Sequence, residues 1–224
     1  MTHALIFDMD GTLFRTDLIL EPALERTFTS LRQQNLWDGP TPIDTYRDIM
    51  GVPLPIVWQT LCSEHPPEVH EESNAYFQQA LIELIEEGSG QLYDDVLPTL
   101  AVLSETYPIY IASNGQTAYL QAIVNHYELD RYVKQTYSID LIASGNKTEL
   151  ARRVLDDHHH TVGFVIGDRS SDIRAAKDNE LTAVGVRFDF AQEEELAMAD
   201  VVIDQFGELP EVLEKFREKQ KTSR

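Results

Sequence analysis

The chain has 224 residues, a formal net charge of −20, 42% hydrophobic and 25% charged residues, and one cysteine. So acidic a surface excludes a duplex-binding role, which needs Lys and Arg against phosphates, and disfavours anionic membranes. A single thiol excludes an intrachain disulfide and fits a reducing, cytoplasmic setting. No stretch approaches the roughly 18 apolar residues of a membrane span, and Met1-Thr2-His3 does not open like a signal peptide.

Residues 4–7 form a continuous apolar run that ends abruptly on Asp8, the pattern of a buried parallel strand. From residue 18 the periodicity changes. Stretches 18–31 and 71–85 carry apolar residues at helical spacing, and Pro40, Pro42, Pro53, Pro55, Pro66 and Pro67 punctuate shorter helices between them. The block reads as all-helical and closes at Gly88-Ser89-Gly90. After residue 94 the patterns alternate. Helices are expected over 96–107, 117–127, 147–156, 171–179, 193–199 and 208–219. Strands are expected over 109–112, 162–166, 182–186 and 201–203, with a weaker one near 132–139. Strands alternating with helices imply right-handed crossovers and a parallel sheet. The expected architecture is therefore an α/β, Rossmann-like core (1–14 and 91–224) with a helical domain (15–90) inserted after the first strand. Residues 215–224, rich in Lys and Arg, read as a solvated, fraying helix end.

Ligands of open α/β sheets bind beyond the carboxyl ends of the strands. The first strand delivers Asp8-Met9-Asp10-Gly11-Thr12 there, the second Ser113-Asn114-Gly115, a later one Gly167-Asp168 with Asp172 a helical turn on, and Lys147 opens a helix between them. Clustered carboxylates repel one another and call for a cation, and a hard, all-oxygen donor set suits Mg²⁺. Asp8 can bind such an ion through one oxygen and attack phosphorus with the other. Asp10, two residues on, is the candidate acid and base for the leaving oxygen and for water. Gly11, Thr12, Ser113, Asn114 and Gly115 are the candidates for holding phosphate oxygens, and Lys147 for neutralising developing charge. Arg47 is a candidate for a substrate carboxylate or second phosphate, against the competing reading of a surface ion pair.

With these motifs in place, the sequence resembles the haloacid dehalogenase superfamily. Asp8-Met9-Asp10-Gly11-Thr12 matches its first motif, Ile111-Ala112-Ser113-Asn114-Gly115 the second, Lys147 the third, and Gly167-Asp168-Arg169-Ser170-Ser171-Asp172 the fourth, in order along the whole chain. The resemblance implies Asp8 as nucleophile and Asp10 as acid/base. It implies Mg²⁺ held by Asp8, the Asp10 main-chain carbonyl and Asp168, with Asp172 close by or through water. It also implies a helical cap that opens and closes over the site. Ile49-Met50-Gly51-Val52-Pro53-Leu54 resembles the cap loop of phosphoglycolate phosphatase-like members. Asp10 argues against dehalogenation. The first lysine is Lys134, which argues against phosphonate cleavage through a cap imine. No histidine lies within 14–25, which argues against a sugar-phosphate mutase.

The expectation is a phosphatase of a small phosphorylated metabolite, with phosphoglycolate in front. Mutase or phosphotransferase, nucleotidase or pyrophosphatase, and a non-catalytic phospho-ligand-binding regulator stand as alternatives. The partner expected is that metabolite, with no nucleic acid and no membrane, and the protein a monomer or small homo-oligomer. Trp58 and Tyr46 read as packing of the helical domain rather than pocket walls. His158-His159-His160 reads as a solvated connection, because consecutive histidines do not converge on one ion. Cys62 reads as a small buried hydrophobe.

Overall fold

The computed structural model describes residues 3–49, 54–188 and 191–222. The chain divides into two compact units, Met1–Arg15 with Gln91–Arg224, and Thr16–Gly90.

The first unit is built on six parallel strands: β1 (Ala4–Phe7), β2 (Ile109–Ser113), β3 (Val133–Ser138), β4 (Gly163–Gly167), β5 (Thr182–Val186) and β6 (Val201–Ile203). Their spatial order is β3-β2-β1-β4-β5-β6. The α/β, Rossmann-like class expected from the sequence is therefore the fold observed. β1, β2 and β4 are buried along their whole length, which is why they read as uninterrupted apolar runs. β3 lies at the sheet edge and exposes Lys134 and Gln135, so its apolar signal is weak.

Alternate residues of each strand face opposite sides. Ala4, Ile6, Tyr110, Ala112 and Val165 pack under two helices, α7 (Lys147–His158) and α8 (Ser170–Asp178), through Leu150, Val154, Leu155, Ile173 and Ala176. On the other side, Phe206 lies 5.8 Å from Phe7, and Phe216 of α10 (Leu209–Thr222) meets Phe164 edge-on at 6.0 Å. Each such side chain stabilises the fold by about 1.5–3 kcal/mol. The remaining helices of this unit are α5 (Val96–Ser104), α6 (Thr117–His126) and α9 (Glu193–Leu196). The expected helix over 96–107 stops early because Pro108 cannot continue it.

The sheet order reverses at β1, where the chain winds out through β2 and β3 and returns to β4 on the other side. β1 and β4 pair in register up to Phe7 and Ile166, and Asp8 N–H donates to the Ile166 carbonyl at 2.9 Å. Asp8 and Gly167-Asp168 therefore leave the sheet side by side at the switch point, where such folds place their ligands.

The histidine run connects α7 to β4 with His159 exposed, as expected, but His158 and His160 are half-buried rather than solvated. His158 closes α7, and His159 takes the left-handed conformation (φ +55°). His160 N–H then bonds back to the Leu155 carbonyl at 2.9 Å, a Schellman-type stop. This reversal folds His158 and His160 onto the tyrosines beneath. Tyr137 OH lies 3.0 Å from His158 Nε2, and Tyr110 OH 3.0 Å from His160 Nε2.

The second unit consists of α1 (Asp17–Gln33), α2 (Ile43–Asp48), α3 (Leu54–Leu61) and α4 (Pro67–Glu86). At its centre Phe28 stacks on Trp58 and Phe77 meets Trp58 edge-on, Trp58 Nε1 donates to Asn74 Oδ1 at 3.1 Å, and Tyr46 packs edge to face with Phe77. Trp58 and Tyr46 are thus packing residues. Residues 50–53 of the loop that resembles phosphoglycolate phosphatase-like members lie outside the described residues. Among the described residues no helix is long and apolar enough to cross a membrane. Cys62 is buried in this unit, and burial pushes its thiol up to about 11. At pH 8 only about one molecule in a thousand then carries the thiolate. A dithiobenzoate reagent is expected to leave the native protein unmodified and to titrate one thiol after denaturation; rapid native labelling would contradict the burial.

Candidate active site

Immediately after β1 the chain curls into a tight turn. Leu13 and Phe14 N–H both donate to the Met9 carbonyl at 2.9 Å, and Gly11 N–H donates to the Phe14 carbonyl at 3.1 Å. Gly11 is required twice over. Its φ is +73°, and a Cβ there would stand 2.5 Å from Asp168 Oδ2. The turn leaves Asp8 buried, its Oδ1 accepting from Met9 N–H at 2.8 Å, and sends half-buried Asp10 toward α6, where Tyr119 OH donates to its Oδ1 at 2.6 Å.

At the end of β4, Gly167 leaves room for the side chain of Asp172. A Cβ on it would lie 2.1 Å from Asp172 Cγ. Asp172 sits in the first turn of α8, where acid is favoured by the helix dipole, and its Oδ2 accepts from Arg169 N–H at 3.0 Å. It is 0% exposed. Lys147 is the first residue of α7, whose N-cap Asn146 accepts from Thr148 N–H at 2.8 Å. The Lys147 ammonium is buried between two acids, 2.8 Å from Asp8 Oδ1 and 2.5 Å from Asp172 Oδ1. Thr12 is fully buried and donates its hydroxyl to Asp168 Oδ1 at 3.1 Å, so its side chain orients a carboxylate.

Carboxylate oxygens of Asp8, Asp168 and Asp172 lie within 4.8 Å of one another. Among the described residues one ammonium serves these three buried acids, so with all three ionised two negative charges would be unbalanced. Burial alone would pull the Lys147 pKa down, but Asp172 and Asp8 outweigh it and hold the ammonium firmly charged. The acids fare differently. Burial, reinforced by Asp8 and Asp172, raises Asp168 well above the ordinary carboxylate range. Burial also raises Asp172 to about 6, with Lys147 lowering it and Asp8 adding to the rise. The lysine gains from two partners, while each acid must share it with like-charged neighbours. An all-oxygen donor set with a deficit of two charges fits a hard divalent cation.

β2 ends on buried Ser113, whose Oγ accepts from Gly115 N–H at 3.3 Å, while Ser138 Oγ donates to the Gly115 carbonyl at 2.8 Å. Asn114, Lys147, Ser171 and Arg174 line a polar pocket of about 260 Å³. The structure thus gathers Asp8, Asp10, Gly11, Thr12, Lys147, Asp168 and Asp172 around β1 and β4, with Ser113, Asn114 and Gly115 on the adjoining strand end. Arg47 lies in the second unit, exposed, with its guanidinium taken up by Glu21 and, at 3.3 Å, by Asp44, the surface ion pair of the competing reading. Tyr119 is the residue that sequence reasoning missed, since a tyrosine in an amphipathic helix gives no sign of what its hydroxyl meets.

A parallel α/β sheet with a buried acid cluster and a lysine beyond its central strands is a Rossmann-like fold with a candidate active site at its switch point. The chain belongs to the haloacid dehalogenase-like hydrolase family, whose model matches residues 2–179. It is 30% identical over 107 residues to the 5′-nucleotidase of Pseudomonas aeruginosa. That match takes in 46% of this chain and 48% of the nucleotidase, so the chain spans about half the length of this curated relative. Among solved structures, it is similar to a haloacid dehalogenase-like hydrolase of Streptococcus pneumoniae (TM-score 0.77, 23% identity, 96% of this chain and 98% of that one). It is also similar to CbbY of Rhodobacter sphaeroides in complex with phosphate (TM-score 0.75, 20% identity, 93% and 96%). At these identities the structural likenesses speak for the fold.

Proposed function

We propose that the protein is a Mg²⁺-dependent phosphatase that hydrolyses small phosphate monoesters through a phosphoryl group carried on Asp8. The observation that carries this reading is the buried Lys147 ammonium bridging Asp8 and Asp172 beside Asp168 at the switch point of the sheet. A carboxylate so held is a nucleophile of fixed direction, since Lys147 and the Met9 N–H both grip its Oδ1.

In the first step an Asp8 oxygen forms a bond to phosphorus as the bond from phosphorus to the leaving oxygen breaks, and Asp10 gives that oxygen its proton. In the second, Asp10 takes a proton from water as the water oxygen attacks phosphorus, the bond between phosphorus and the Asp8 oxygen breaks, and phosphate departs. Ser113, Asn114 and Gly115 hold phosphate oxygens, and Lys147 offsets negative charge on the transferring group. Thr12 keeps Asp168 turned toward the cluster. Asp8, the Asp10 main-chain carbonyl and Asp168, with Asp172 close by or through water, would hold Mg²⁺, which would supply the charge that lets one anion approach another. We assign substrate selection to the helical unit, acting as the cap.

Two substrate classes lead. Phosphoglycolate rests on the loop resemblance at residues 49–54. Nucleoside 5′-monophosphates rest on the likeness to the P. aeruginosa 5′-nucleotidase. CbbY, crystallised with xylulose 1,5-bisphosphate, adds sugar phosphates as a third class to test. The test is phosphate release from a panel of phosphorylated metabolites, with Mg²⁺ and with EDTA. Release that needs the metal and differs in kcat/KM by at least about tenfold between classes is the expected result. Full activity after metal removal would overturn the metal assignment, and absence of release from every ester would overturn the hydrolase chemistry.

A further inference from the structure

We infer that Tyr119 is a positioning residue for the reaction: a hydroxyl on α6 that holds the Asp10 carboxylate in the attitude from which it serves the leaving oxygen. The inference rests on the assignment of Asp10 as acid and base. Tyr119 and Asp10 are 109 positions apart in sequence, yet the tyrosine hydroxyl donates to Asp10 Oδ1 at 2.6 Å, at the short end of O–H···O⁻ distances. Tyr119 is 4% exposed, so its ring is held on all sides.

Three neighbours make the placement rigid. Gly115, at the end of β2, has no side chain because the first turn of α6 fills that space. A Cβ there would lie 3.1 Å from Tyr119 Cδ1 and 2.8 Å from Leu120 Cδ2. The start of α6 is tied down by Asp140, whose Oδ2 accepts from both Thr117 N–H (2.8 Å) and Thr117 Oγ1 (2.9 Å). Ser138 fixes the Gly115 carbonyl from β3. The hydroxyl is therefore carried by the sheet edge and aimed across it, while Asp10 itself hangs from a short turn after β1. An aspartate on a turn has two side-chain torsions to settle, and a buried donor at 2.6 Å settles them before substrate arrives. The same arrangement gives the second-motif glycine a role besides phosphate contact, since it makes room for the tyrosine.

The test uses Tyr119→Phe, which keeps the ring and removes only the hydroxyl. Kinetics are measured with Mg²⁺ on a series of aryl phosphates whose leaving phenols become progressively more basic. A group that orients the proton donor matters most where the leaving oxygen most needs a proton. The variant is expected to lose little kcat on 4-nitrophenyl phosphate and about tenfold or more on the most basic phenol, with KM changed less than about twofold. In an Asp10→Asn background, Tyr119→Phe is expected to cost no further activity on the aryl phosphate with the most basic phenol that this background still turns over and on which Tyr119→Phe alone shows a clear loss, since the residue it acts through is gone. An equal fractional loss across the series would make Tyr119 merely structural and overturn the inference, as would no loss anywhere, or full additivity with Asp10→Asn. Wild type and Asp8→Asn run alongside separate the two claims. Turnover that does not depend on Asp8 sinks the underlying mechanism. Asp8-dependent turnover without the leaving-group trend sinks the Tyr119 role alone.

Discussion

Asp8→Asn is expected to lower phosphatase turnover by at least about 10⁴-fold while leaving the protein folded. The amide keeps the size of the carboxylate but cannot accept a phosphoryl group, so no downstream step rescues the reaction. Stability should hold or improve. The substitution removes one of three buried negative charges that share a single ammonium, and Lys147 retains Asp172 at 2.5 Å. Two measurements check this: phosphate release on the best substrate of the panel, and thermal unfolding without metal. Residual turnover within about tenfold of wild type would remove Asp8 from the nucleophile's role. A collapse in melting temperature would mean that Asp8 is held for structure.

Lys147→Ala carries the largest expected effect on stability. It deletes the ammonium that bridges Asp8 and Asp172 and leaves Asp8, Asp168 and Asp172 buried within 4.8 Å of one another without it. Breaking a buried pair from one side costs about 3–5 kcal/mol, because the partner's desolvation is no longer offset. In a chain of this length each kcal/mol moves the melting temperature by about 2–4 °C. The metal-free variant should therefore melt on the order of 10 °C below wild type. Mg²⁺ should restore more of the loss in the variant than it adds to wild type, since the ion supplies the charge that the lysine no longer does. Turnover with metal should still fall by about 10²–10³-fold for want of the group facing the transferred phosphoryl. A metal-free melting temperature equal to wild type would show that the three carboxylates are not the strained set the geometry indicates.

The two variants probe what the chain writes most openly. Asp8 follows four apolar residues, and a buried strand that ends in acid announces a site, because uncompensated acid at such a place is costly. Lys147, Asp168 and Asp172 could be read in the same way, as charged residues at the points where apolar runs stop and helices begin. The parallel sheet was legible because its central strands are buried on both faces and its helices keep their own period. Local pattern was weaker wherever burial was one-sided. β3 exposes two of its first three residues at the sheet edge, and the helix after residue 193 is a single turn.

What the sequence determined by itself is thus the candidate reacting groups and the strand ends that carry them, since motif and strand terminus are neighbours along the chain. Only the tertiary structure decided the pairings between distant segments. It turned Thr12 onto Asp168, 156 positions away, aimed Tyr119 at Asp10, folded His158 and His160 onto Tyr137 and Tyr110, and occupied Arg47 with Glu21 and Asp44. The reason is physical. Apolar periodicity reports which face of an element is buried, whereas the partner of a hydroxyl, imidazole or guanidinium is set by how elements far apart in sequence come to lie against one another.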